Sequence, residues 1–133
     1  MDFKVRAIVY GIVATIIVGL LSGAVVPFTD MTLPIVGAGL TGIIGGLVAG
    51  YVSGTKLDDG ALNGGVATAA GAIVALVVLS VAGLLTAGLI PTMGLFAFGV
   101  VYVIVAAIPG AVGGALGSWL KGRSDERTAA RPA

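Results

Sequence analysis

At 133 residues the chain is one domain in size, yet only 10% of it is charged and 58% is hydrophobic, with a mean hydropathy of +1.16. A water-soluble domain carries roughly 25% charged residues, so this composition excludes a soluble globular surface and points to an integral membrane protein. The net charge is +1 and neither His nor Cys occurs. No nucleic-acid footprint is visible, thiol chemistry is excluded, and the commonest metal and haem ligands are missing, so no cofactor or metal is expected.

The first predicted helix covers 7–26. Lys4 and Arg6 precede it in the manner of a signal peptide, but an apolar run of about 20 residues suits a full span better. Ser22-Gly23-Ala24 is small enough to keep cleavage open as the alternative. Its small residues step by four: Ala7, Gly11, Thr15, Gly19 and Gly23. Pro27 ends it, because proline cannot continue the hydrogen-bond ladder. The second helix is expected over 33–52, with Pro34 at its opening, where a missing N–H does no harm.

The uncharged stretch from Leu33 to Gly54 is the one around which the chain is organised. Ala38, Gly42, Gly46, Gly50 and Gly54 recur every four residues. On a helix that spacing makes one smooth stripe, and in a membrane such a stripe lets a neighbouring helix approach backbone to backbone. A polar loop follows. Asp58 or Asp59 is placed to cap a third helix over 61–90 and to meet the positive end of its dipole. Asn63 lies one turn further in, and the alternative for these three residues is a cation or partner site. The fourth helix is expected over 94–120. Pro109 should free the carbonyl of Val105 and kink it. The four-residue spacing returns in Ala106, Gly110, Gly114, Ser118 and Gly122. Residues 123–133 read as a disordered cytoplasmic tail.

Charge sets the expected orientation. Lys4 and Arg6 precede helix one, Lys56 lies between helices two and three, and Lys121, Arg123, Arg127 and Arg131 follow helix four. The other two links carry no Lys or Arg. The positive-inside rule then puts both termini in the cytoplasm, with the chain a multi-pass protein of the cytoplasmic membrane. Tyr51 and Trp119 become anchors at the cytoplasmic interface, with Phe28 and Phe96 near the outer one.

The two halves resemble each other. GLLSGAVVP from Gly19 parallels GLLTAGLIP from Gly83, an offset of 64. Gly42, Gly45, Gly46, Tyr51, Val52 and Gly54 parallel Gly110, Gly113, Gly114, Trp119, Leu120 and Gly122, an offset of 68. Chance likeness between Gly-rich helices is the plain alternative to duplication. The predicted fold is therefore all-α: a four-helix transmembrane bundle in residues 1–122, built from two helical hairpins related as parallel repeats, with both termini inside.

Four stretches carry a resemblance to a family: RAIVYG from Arg6, GGLVAGY from Gly45, DGALNG from Asp59 and GAVGGALG from Gly110. Together they resemble the small, Gly-rich, four-span membrane proteins of haloarchaea that carry a domain of unknown function. The resemblance covers most of residues 6–120. It implies a four-span architecture and a cytoplasmic-membrane location, and it implies no activity.

One motif invites a chemical reading. Gly37-Ala38-Gly39-Leu40-Thr41-Gly42 is a G-x-G-x-x-G and looks like the opening of a flavin-dependent oxidase. That fingerprint needs a strand before it and a parallel sheet around it. Pro34 leaves almost no strand, and the four-residue stripe runs on through the motif. The carboxylate pairs Asp58-Asp59 and Asp125-Glu126 are adjacent in sequence and diverge on any regular element, so neither makes an acid–base dyad. No ionisable residue lies inside an expected span, which argues against pumps and ion-coupled transport. The expected role is a non-enzymatic structural or accessory subunit in the lipid bilayer, associating with itself or with a larger membrane complex. Its helix-packing residues would be Gly11, Gly19, Gly23, Gly42, Gly46, Gly50, Gly110, Gly114 and Ser118. The alternative is an oligomeric pore, holin-like or a passive small-solute channel, although no polar stripe runs the length of one helix.

Overall fold

Long uncharged runs with no water-facing polar side have one economical way to pair their backbone groups, which is to make every hydrogen bond within the segment. The computed structural model follows this. It describes residues 3–25 and 32–132, with side chains described for 3–19, 21 and 39–132. Four helices form: α1 Val5–Val25, α2 Thr32–Ser53, α3 Leu57–Thr86 and α4 Leu89–Ala129. No strand occurs among the described residues. The link containing Pro27 and Phe28, and the surroundings of Gly23, Pro34 and Ala38, fall outside them.

Both ends of helices three and four differ from the sequence expectation, α3 ending at Thr86 and not at 90. Helix α3 starts at Leu57, not near position 61, so Lys56 holds the N-cap position and makes no side-chain cap bond. Asp58 and Asp59 then sit inside the first turn, where their charge still faces the positive dipole end. Helix α4 starts at Leu89 and takes Pro91 into its first turn, where the ring removes an N–H that has no helical acceptor anyway. The same helix passes through Pro109 and continues to Ala129, so the tail expected to be disordered is largely helical. Lys, Arg, Glu and Ala are good helix formers, and an exposed helix needs no apolar face to continue from one already formed.

Gly54 and Gly88 supply the two tight links. Their φ angles are +132° and +89°, a region that side chains disfavour. At the second link the N–H groups of Ala87 and Gly88 both bond to Gly83 O, at 2.8 and 3.1 Å.

Neighbouring residues define the topology. Gly11 lies against Ala67 and Thr15 against Gly71, so α1 and α3 run in the same direction. Gly46 faces Gly110 and Gly50 faces Gly114, so α2 and α4 also run together. Gly60 meets Ser118 while Gly64 meets Gly110, so α3 and α4 are antiparallel. The result is an up-down-up-down arrangement. Helices α2 and α3 touch each other and both outer helices, whereas α1 and α4 do not touch among the described residues.

That asymmetry corrects the expected two-fold relation between hairpins. An exact exchange of α1–α2 with α3–α4 would turn the α2–α3 contact into an α4–α1 contact. The phase of the helices differs as well. Gly45 faces Thr15 of its own hairpin, yet its sequence counterpart Gly113 faces Ile43 of the other hairpin. Gly46 faces α4 across the hairpins, yet its counterpart Gly114 faces Gly60 and Gly64 within its own. One residue of phase is about 100° of rotation around a helix.

The interior is small and the exterior large. Among the described residues, the buried apolar ones are Ala7, Ala49, Ala67 and Ala106, and the largest fully buried side chains are Asn63, Thr68, Ser53 and Ser118. Leu, Ile, Val and Phe lie outside, with Leu85 and Ile90 each 83% exposed. By length and composition, α3 and α4 are long and apolar enough to cross a membrane.

Candidate functional site: the glycine seam and its polar end

A residue with no side chain lets two helix backbones touch. The seam between α2, α3 and α4 is built on this. A Cβ placed on Gly46 would fall 2.9 Å from Gly110 Cα, and one on Gly50 2.6 Å from Gly114 Cα. From α3, a Cβ on Gly64 would lie 2.6 Å from Gly114 Cα. These approaches are closer than carbon atoms tolerate, so the backbones meet where only glycine fits. Gly113 and Gly117 seat against the backbone of α2 at Ile43 and Leu47.

Hydroxyls close the seam. Thr68 Oγ1 donates to Gly64 O of its own helix at 2.9 Å and reaches Gly42 O of α2 at 3.3 Å. Ser118 Oγ donates across the bundle to Gly50 O at 2.9 Å, and Ser53 Oγ donates to the same carbonyl at 2.8 Å. The two hydroxyl oxygens are 3.4 Å apart. A buried carbonyl with two lone pairs is thus fully used.

The polar end lies where α1 begins, α2 ends and α3 begins. Asn63, fully buried, accepts the Lys4 N–H on Oδ1 at 3.0 Å and donates through Nδ2 to Asp59 O at 2.7 Å. One side chain of α3 therefore holds the N-terminus of α1. The Lys4 ammonium donates to Ser53 O, which places a cation at the negative end of α2. Gly122 of α4 approaches Thr55 at this same end. All the basic residues from Lys4 to Lys121 thus belong to one end of the bundle. Tyr51 and Trp119 stand there too, both partly exposed. Lys121 Nζ lies 5.7 Å from the Tyr51 ring centroid, and Arg123 Cζ lies 4.3 Å from that of Trp119, cation–π geometries in each case.

The residues singled out by sequence divide as follows. Gly42, Gly46, Gly50, Gly110, Gly114 and Ser118 converge on the seam between α2, α3 and α4. Gly11 lies elsewhere, between Ala49 and Ala67, with a Cβ there 2.7 Å from each. Among the described residues Gly19 approaches only Thr41, at 3.9 Å, and the surroundings of Gly23 lie outside them. Asp58 is exposed and Asp59 buried, both in the first turn of α3. The G-x-G-x-x-G of residues 37–42 lies within helix α2, with no strand before it among the described residues.

Sequence reading missed Gly60 and Gly64, which continue the seam on α3. Their signal was present, since they repeat the four-residue spacing. It also missed Lys4 and Ser53 as a pair. No local pattern announces a bond across 49 positions. Residues 5–120 match a family of unknown function, DUF5518, and the chain belongs to that family. No curated protein and no solved structure matches it.

Proposed function

We propose that this DUF5518 member is a four-span protein of the cytoplasmic membrane, with both termini inside, that acts as a non-enzymatic structural or accessory subunit. It associates through glycine-zipper faces with itself or with a larger membrane complex. The observation that carries the reading is the inverted distribution of side chains. Alanine, glycine and hydroxyls fill the interior while the large apolar residues face outward. In water such a surface would aggregate; in lipid it is the expected one, because bundling there relies on close backbone fit. The collection of basic residues at one end supports the orientation. The stretch from Gly60 to Leu120 contains no Asp, Glu, Lys or Arg, which supports a role without proton or ion coupling. That the relatives are haloarchaeal belongs to this proposal as well and rests on the quoted motifs.

The test is paired. The full chain, extracted in mild detergent, is expected to run as a defined oligomer or with a stoichiometric membrane partner. Reconstituted into liposomes, it is expected to pass small solutes no faster than protein-free vesicles. Solute flux that scales with protein density would replace this reading with the pore.

A further inference from the structure

The cations at the basic end are not equivalent. Lys4 is committed to Ser53 O, while Lys121 and Arg123 lie over Tyr51 and Trp119. Arg6 has no carboxylate or other hydrogen-bond partner among the described residues. It stands instead on an open groove between α1 and the end of α2. Val5, Val9 and Val52 form the apolar floor and Tyr10 lies one turn deeper than Arg6. The groove is shallow and stays open, with about 460 Å³ of space along these side chains. Arg6 and Tyr10, like Val5 and Val9, are four apart and share a helix face.

We propose that this groove binds a phospholipid with an anionic headgroup, its phosphate on Arg6 and the start of one acyl chain along the valines. The inference rests on the membrane reading above. Charge complementarity selects the occupant. A guanidinium binds phosphate oxygens through paired N–H donors. Arg6 also lies in the first turn of α1, where the helix dipole adds positive potential. The Tyr10 side chain is 59% exposed, which leaves its hydroxyl open to a headgroup or glycerol oxygen. A soluble anion would use Arg6 alone, and the apolar floor below it calls for a chain attached to the phosphate.

The experiment titrates the full-length protein, in a non-ionic detergent, with phosphatidylglycerol, with phosphatidylcholine of the same chains, and with glycerol phosphate. The thermal unfolding midpoint gives an apparent Kd for each. Phosphatidylglycerol is expected to stabilise selectively. Arg6→Gln is expected to weaken it about fivefold or more, and Val9→Trp, which fills the groove and keeps the charge, to weaken it similarly. Arg127→Gln removes a charge far out on α4 and should leave the Kd unchanged. The site is overturned if either groove variant binds like the parent, if Arg127→Gln weakens binding as much as Arg6→Gln, or if glycerol phosphate stabilises as well as the lipid. A parallel flotation in phosphatidylcholine vesicles after an alkaline wash separates the two readings. Retention in vesicles without headgroup selectivity overturns the lipid site alone, and loss from vesicles overturns the spanning reading together with the site.

Discussion

At the scale of single residues, glycines of the same chain should respond in opposite ways to one added methyl group. At Gly50 and Gly114 the new Cβ meets backbone of a neighbouring helix, while at Gly39 and Gly94 no described residue lies within 4 Å. Backbone cannot rotate away as a side chain can. Gly50→Ala and Gly114→Ala are therefore expected to destabilise by about 1–3 kcal/mol, the range for overpacking a tight core. Gly39→Ala and Gly94→Ala should be neutral or stabilise by about 0.5–1 kcal/mol, from the smaller entropy of the unfolded helix. The midpoint of unfolding in a denaturing-detergent titration reads both signs, and a uniform response at all four positions would contradict the seam. Sequence spacing was enough to single out Gly50 and Gly114. It could not separate them from Gly19, which has the same spacing but little contact among the described residues, because a stripe fixes a face of a helix and not what lies opposite.

For whole elements, α1 depends on one side chain of another helix. Asn63 satisfies the Lys4 N–H and anchors to Asp59 O. Asn63→Leu keeps the branched shape and the number of side-chain heavy atoms but leaves that N–H without its acceptor. The expected loss is about 1–3 kcal/mol, concentrated in the first turn of α1. Amide exchange should rise over residues 5–8 and stay unchanged along the middle of α4. Uniform protection in the variant would show that α1 is held by other means. The number of helices was legible from Pro27, Pro34, the polar loop at 53–60 and Pro91. Their ends were less so. Asp58 and Asp59 suit a cap and a first turn almost equally well, since both positions offer a carboxylate to the same dipole. Pro91 likewise suits the residue after a helix and the first turn of the next.

On the scale of the molecule, the end that gathers Lys4, Lys56 and Lys121 should lie in the cytoplasm, and the α3–α4 link outside. Ser124→Cys is expected to resist an impermeant thiol reagent on intact cells and to react after lysis. Ile90→Cys, 83% exposed at the opposite end, should react on intact cells. The reverse pattern would invert the topology. Clustering of charge was readable because it depends only on counting along the chain. The loss of two-fold symmetry was not, because it arises from rotation: Gly46 and Gly114 match in sequence but face different neighbours. A repeat in sequence preserves residue types, and the angle of each helix about its own axis is settled by all the helices it touches.

The glycine and alanine interior has a thermodynamic consequence. Under the membrane reading proposed above, a helix in lipid has its backbone bonds formed before it meets a partner, and bundling does not have to order the main chain again. Glycine and alanine have no rotamers to freeze, whereas a buried Met or Gln gives up as much as about 2 kcal/mol of side-chain freedom. Assembly of α2, α3 and α4 along Gly46, Gly50, Gly64, Gly110 and Gly114 therefore sacrifices very little conformational entropy. Cohesion of that kind is enthalpic contact set by distance, and heating has few frozen degrees of freedom to release. Thickening one backbone contact is therefore expected to perturb this bundle strongly.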